Sequence, residues 1–196
     1  MTTSSSGTDL DRSVNRAIDR QAMAKRLADV ALLRGEFTLR SGRTSSYYLD
    51  KYRFTTQPAV LADLAVLFEA EIRSLAAERT VDRLAGAELG GIPLVTAAGM
   101  RTGLPIVFIR NQKKDYGTAQ QLEGPLEKGD AVVFLEDVAT TAGQAAEACQ
   151  TLRDAGAEVL GAIAVVDRQE GAAATMAKAG VPFRALFTKA DLGIDE

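Results

Sequence analysis

The chain has 196 residues, 46% of them apolar and 25% charged, with a net charge of −3, which suits one ordinary globular domain. Nothing supplies the clustered basic field that nucleic-acid backbones attract, and no apolar run approaches the roughly 20 residues of a membrane span. There is no histidine and one cysteine, Cys149, which removes histidine-based triads, histidine-bound metals, intrachain disulfides and cysteine metal clusters. Cys149 stands among alanines and reads as a small buried thiol. A cytoplasmic location, with no nucleic-acid or membrane partner, is the expectation.

In chain order, residues 1–12 lack the apolar core of a signal peptide and read as a disordered leader. Val14, Ala17, Met23, Leu27, Val30 and Ala31 recur near helical spacing and predict a helix over about 13–34, stopped by Gly35. "FTLRSGRTSSYYLD" (37–50) predicts two short strands about the turn Ser41-Gly42-Arg43. Pro58 opens an amphipathic helix to about Glu78. A regular alternation follows: strand 82–86, helix 91–103, strand 104–110, polar loop 111–125, strand 131–136, helix 141–155, strand 158–167, helix 170–179 and strand 183–187.

Continuous apolar strands between helices predict an α/β fold, a mostly parallel central sheet covered on both faces. Residues 13–196 are expected to form one domain with its core over about 58–187. The segment from about 13 to 55 and the C-terminal residues lie outside the alternation and predict a small hood. Ligands of open α/β sheets bind at the carboxyl ends of the strands. That rule lines up "AGAELGG", "IRNQKKDYGT", "EDVATTAG" and "DRQE" along one rim.

Of these, "VVFLEDVATTAGQ" (132–144) is the most telling. A strand that only fills a core does not need Glu136 and Asp137 at its end. Thr140, Thr141, Ala142, Gly143 and Gln144 fall where strand becomes helix, so free N–H groups, hydroxyls and the helix dipole can receive an anion. The adjacent acids repel a phosphate but suit the hydroxyls of a sugar or a hydrated metal ion. A phosphorylated ribose satisfies both halves; a plainly capped helix with solvated acids is the alternative. No Walker loop and no GxGxxG is present.

The same stretch resembles the phosphoribosyl-diphosphate (PRPP) signature of the type I phosphoribosyltransferases. "FTLRSGRTSSYYLDKYRF" (37–54), "GAELGGIPL" (86–94) and "VDRQEGA" (166–172) are similar, in family order, to the N-terminal signature, diphosphate loop and fourth segment of the orotate-specific branch. The resemblance implies the type I phosphoribosyltransferase fold and transfer of phosphoribose from PRPP to orotate. It further implies Mg²⁺ carried by PRPP oxygens and waters with no direct protein ligand, and a homodimer with shared active sites.

Residue by residue, Thr140 to Gln144 would hold the 5-phosphate, and Glu136 and Asp137 the ribose hydroxyls. The loop from Glu88 through Leu89, Gly90 and Gly91 would approach the diphosphate through its amides. Arg40 would lie beside the PRPP ribose. Arg168, Thr140 and the backbone near Tyr47 and Tyr48 would receive orotate, a guanidinium fork matching its carboxylate. Arg110, Lys113, Lys114 and Tyr116 would meet the diphosphate, with Lys114, Asp137 and Arg110 bearing on catalysis.

Read without the resemblance, each of these has a plainer role: Arg168 as a solvated charge, the tyrosines as core, Gly90-Gly91 as a helix-entry turn, Glu88 as an acid near a helix start. "RNQKKDYGTAQQLEG" (110–124) reads as a lid or a disordered connection. The family form R-K-x-x-K-x-H-G is kept at Arg110, Lys114 and Gly117, but Asn111 replaces a lysine and Tyr116 the histidine. Gly90 also stands where some members carry lysine. Two rival readings remain: a phosphoribosyltransferase for another base, and a PRPP-sensing regulator of the same fold.

Overall fold

The computed structural model describes residues 17–38, 42, 44–76, 79–111 and 121–194. Helix α1 (Arg20–Ala31) starts at an N-cap, Asp19, whose carboxylate accepts from the N–H groups of Gln21 and Ala22. The chain passes directly from α1 into β1 (Leu32–Thr38), which pairs antiparallel with β2 (Thr44–Leu49). Gly35 therefore does not stop a helix; it lies inside β1, where the register shifts between Arg34 and Phe37. The apolar pair Leu32-Leu33 extends the helical pattern, but its partners Leu49 and Tyr48 draw it into the hairpin. A five-residue helix, α2 (Lys51–Thr55), follows on the N-cap Asp50 and was not anticipated from the sequence.

Helix α3 (Pro58–Leu75) leads into the main sheet. The remaining elements are β3 (Arg83–Ala87), α4 (Gly91–Thr102), β4 (Ile106–Ile109), β5 (Leu122–Glu123), β6 (Ala131–Ala139), α5 (Gly143–Asp154), β7 (Glu158–Asp167), α6 (Ala172–Lys178) and β8 (Phe183–Thr188). A single 3₁₀ turn, Ala190–Leu192, comes last. The sheet order is β5-β4-β3-β6-β7-β8, parallel except for β5, which runs antiparallel to β4. This is the mostly parallel α/β sheet the sequence predicts, although the polar segment 111–125 contributes β5 at its edge.

Period-two alternation sorts each strand's side chains onto opposite faces, and both faces are covered. Leu84, Val133, Leu135, Ile163 and Val165 join a core with α3, α4 and the hood residues Leu27, Tyr47, Leu192 and Ile194. Ala85, Val132, Phe134, Ala162 and Ala164 join a second core with Ala145, Cys149, Leu152 and Met176 of α5 and α6. Strand β6 lies mid-sheet, so its carboxyl end opens between the two layers. The leader at 1–12, the start of the expected first helix and the Ser41-Gly42-Arg43 turn, apart from Gly42, lie outside the described residues.

Candidate active site

Strand β6 runs three residues beyond the expected 136, so Glu136 and Asp137 lie within it rather than at its end. Pairing with β7 carries that extension, through Glu136↔Ala164, Val138↔Val166 and Ala139↔Asp167. Asp137 is 2% exposed. Its Oδ1 accepts from the N–H of Val138 at 2.6 Å, and its own N–H donates to Glu136 Oε1 at 3.1 Å. Burial, joined by the charge of Asp137, pushes the Glu136 carboxyl up to about 8. Near neutrality Glu136 is therefore largely protonated.

Beyond β6 the chain turns through Thr140 and Thr141 to Ala142, which takes a left-handed conformation, φ 57°, as the N-cap of α5. No side chain caps this helix and no acid stands in its first turn. Its leading N–H groups thus face a cleft of about 280 Å³ lined by Thr140, Thr141, Gly143 and Gln144, with the two acids at its inner end. That is the arrangement of an anion cradle.

The opposite wall comes from two other places. Gly90, at the N-cap of α4, passes so close to β6 that a Cβ there would lie 1.6 Å from Asp137 Oδ2. Only a residue without a side chain fits. From the hood, the Lys51 ammonium reaches the same oxygen at 2.9 Å. Lys51 carries no role in the sequence reading although it lies inside the quoted N-terminal motif. Its partner is 86 positions away, a separation no local spacing reveals.

Glu88, Leu89 and Gly90 connect β3 to α4, and the Glu88–Leu89 peptide is cis. Glu88 Oε1 accepts from the N–H of Asn111 at 2.7 Å, tying this connection to the end of β4. Arg110 lines the adjoining cleft with Glu88, Gly90 and Lys51; its Nε is buried with no hydrogen-bond partner among the described residues. Arg40, Lys113, Lys114 and Tyr116 lie outside the described residues.

At the neighbouring end of β7, the N–H of Arg168 donates to Ala139 O at 2.9 Å, which sets the arginine beside Thr140. Its guanidinium donates to Tyr47 Oη at 3.0 Å, lies 5.1 Å from the centre of that ring and pairs with Glu170 at 2.8 Å. Its Nε, too, is buried without a hydrogen-bond partner among the described residues. The structure brings Tyr47 to Arg168 but not the side chain of Tyr48, which is 43% exposed and packs on Phe37. Adjacent residues of a strand point to opposite faces, so a Tyr-Tyr pair offers one ring to the site.

An open parallel sheet with an uncapped helix start and two acids, one of them buried, at one strand end, and an arginine at the next, defines an α/β protein with its candidate ligand site at the carboxyl ends of its strands. The comparisons agree. Residues 52–182 match the family model described as "Phosphoribosyl transferase domain". An orotate phosphoribosyltransferase of Halobacterium salinarum is 47% identical over 90% of this chain and 97% of its own. The crystal structure of the Aeropyrum pernix orotate phosphoribosyltransferase superposes with a TM-score of 0.76 at 35% identity, covering 87% of this chain and 96% of that one. The Mycobacterium tuberculosis enzyme, in complex with PRPP, gives a TM-score of 0.74 at 31% identity, covering 89% and 99%. The chain belongs to the phosphoribosyltransferase family, among its orotate phosphoribosyltransferases.

Proposed function

We propose that this protein transfers the 5-phosphoribosyl group of PRPP to orotate, releasing diphosphate and forming orotidine 5′-monophosphate in pyrimidine biosynthesis. The observation that carries the reading is the pair of buried Nε atoms of Arg110 and Arg168, without hydrogen-bond partners among the described residues, on one rim, either side of the β6 cradle. Buried guanidinium N–H groups left without acceptors are costly. Two substrates, one carrying a diphosphate and the other a base carboxylate, supply acceptors to both.

In this reading the turn from Thr140 through Thr141, Ala142 and Gly143 to Gln144 holds the 5-phosphate. Asp137 accepts from a ribose hydroxyl while protonated Glu136 is able to donate to one. Gly90 lets the backbone close on the diphosphate, which Arg110 meets together with Lys113, Lys114 and Tyr116. Arg40 lies beside the ribose, and Arg168, Tyr47 and Thr140 receive orotate. The transition state carries oxocarbenium character on the ribose. Catalysis is then mostly positioning, plus neutralisation of the leaving group by Arg110 and Lys114.

Magnesium belongs to the same proposal. Glu88 and Asp137 line the cleft with hard oxygen acceptors, the donor type that magnesium and its waters take, so the residues present suit the ion carried on PRPP. When bound, it supplies charge neutralisation to the diphosphate. The enzyme works in the cytoplasm, where a lone cysteine such as Cys149 stays reduced. It works as a homodimer in which Lys114 serves the partner's site.

Steady-state turnover with PRPP tests the base. Orotate should be converted and uracil, which lacks the carboxylate, should be poorer by at least thirtyfold in kcat/KM, the equivalent of roughly 2 kcal/mol. Equal values for the two bases would sink the assignment. Co-refolding Asp137→Asn with Lys114→Ala tests the shared site, since only a site crossing the dimer regains roughly a quarter of wild-type activity. No recovery, with mixed dimers confirmed by mass, rules it out.

A further inference from the structure

The cleft around the β6 carboxyl end is a poor place for an anion if its acids are counted alone. Glu136, Asp137 and Glu147 line the phosphate side, and Glu88 joins them on the side of Arg110. Among the described residues only one cation lines both parts, Lys51. Its ammonium is thus at their junction, against Asp137 Oδ2 at 2.9 Å.

This position is built. Asp50 caps α2 by accepting from the Tyr52 N–H at 3.1 Å, and its own N–H donates to Ala31 O at 2.9 Å, so α2 is fastened to the end of α1. Phe54, fully buried, anchors the far end of α2 in the core. The ammonium also lies 5.6 Å from the centre of the Tyr52 ring. Gly90 contributes by omission, because its missing side chain leaves Asp137 Oδ2 reachable from the hood. Burial by itself would lower the Lys51 pKa, but the charge of Asp137 and their hydrogen bond raise it above the ordinary lysine value. The group stays charged throughout the working range of an enzyme.

Resting on the reading of this cleft as a PRPP site, we propose that Lys51 is a PRPP-positioning residue, a cation delivered from the hood to the junction of the phosphate and diphosphate parts of the cleft. It holds the Asp137 carboxylate oriented for the ribose, and it offsets the acids that a polyanionic substrate must pass. A lysine that only stapled the hood to the sheet would serve both substrates equally, because the hood also carries Tyr47 beside Arg168.

The two roles separate kinetically. Lys51→Met should raise KM for PRPP by roughly thirtyfold, the scale of a lost charge-assisted hydrogen bond. KM for orotate should stay within about twofold, and Lys51→Arg should recover most of the loss because it restores the charge. Lys51→Gln, which keeps an amide to bond Asp137 without the charge, supplies the same comparison if the Met variant does not fold. Calorimetric titration of PRPP with magnesium, in the absence of orotate, should show the same weakening. An unchanged PRPP KM, or both KM values rising together as the melting temperature falls, would overturn the proposal in favour of a staple. A wild-type chain that binds no PRPP at all defeats the parent reading and Lys51's part with it.

Discussion

The ends of β6 and β7 lie side by side, in register at Ala139↔Asp167, and both turn through a non-glycine residue at φ 57°, Ala142 and Gln169. These are the two non-glycine residues with positive φ among those described. A left-handed conformation costs an ordinary residue about 1 kcal/mol, and such positions gather at functional sites. From that shared backbone the two ends diverge. β6 keeps its charges inside the strand and leaves its turn to hydroxyls and small residues, so bare N–H groups receive the ligand. β7 uses its acid to fix its own turn, Asp167 Oδ1 accepting from Gln169 N–H at 2.7 Å, and places a guanidinium first after the strand. One backbone solution thus serves two recognition problems, and side-chain chemistry decides which.

The sharpest way to break the comparison is Gly90→Ala, which injures β6 alone. The new Cβ would overlap Asp137 Oδ2, so carboxylate or loop must move by more than an ångström. Displacement on that scale should lower kcat/KM for PRPP by about 10²–10³, while orotate KM changes little. The mirror experiment is Arg168→Met. It should raise orotate KM roughly thirtyfold to hundredfold and leave PRPP KM within about threefold. If either variant moves both constants together, the two ends are one coupled unit and the division is wrong.

Much of this division is legible in the sequence, and its failures are physical. The sequence predicts β7 over 158–167, and it forms Glu158–Asp167. Two adjacent acids read as the end of β6 at 136, but cross-strand pairing to β7 overrides that local signal. Lys51–Asp137 spans 86 positions and only the fold could supply it, whereas Arg168 and Tyr47, 121 positions apart, are joined in the sequence by the family resemblance alone. The choice of Tyr47 over Tyr48 needed strand register, which the sequence leaves open when both residues are alike.

Acidity offers a gentler probe of the β6 end. Glu136 is raised from 4.5 to about 8 by burial and by Asp137, so this acid is harder to ionise folded than unfolded. Its contribution to stability is complete below about pH 4.5 and is lost as pH climbs towards 8. Glu136→Gln cannot ionise and escapes that loss. Its melting temperature relative to wild type, both ligand-free, should therefore be more favourable at pH 8.5 than at pH 5, by at least roughly 2–4 °C. A difference independent of pH would mean that the acid is ordinary. The smallest effect is expected from relieving the two left-handed residues. Ala142→Gly and Gln169→Gly should each change stability by less than about 1 kcal/mol, with Ala142→Gly slightly stabilising. A tenfold rise in PRPP KM for Ala142→Gly alone would show that stiffness at the β6 turn is itself used in binding.

The hood is assembled from both ends of the described chain. An Arg20 guanidinium nitrogen donates to Leu186 O, Arg34 Nη2 donates to Gly193 O at 3.2 Å, and Leu192 and Ile194 pack into the core that contains Leu27 and Tyr47. These contacts close loops of about 160 residues, the slowest kind to find. On the ribosome, where chains emerge N-terminus first, residues 17–50 must wait for residues 186–194 before their apolar faces are covered. The turn that makes the phosphate cradle, Thr140 to Gln144, is continuous in sequence and needs no such wait. The pocket for the base is therefore completed last, and α1 with its hairpin is the segment that a nascent chain exposes longest to chaperones and proteases.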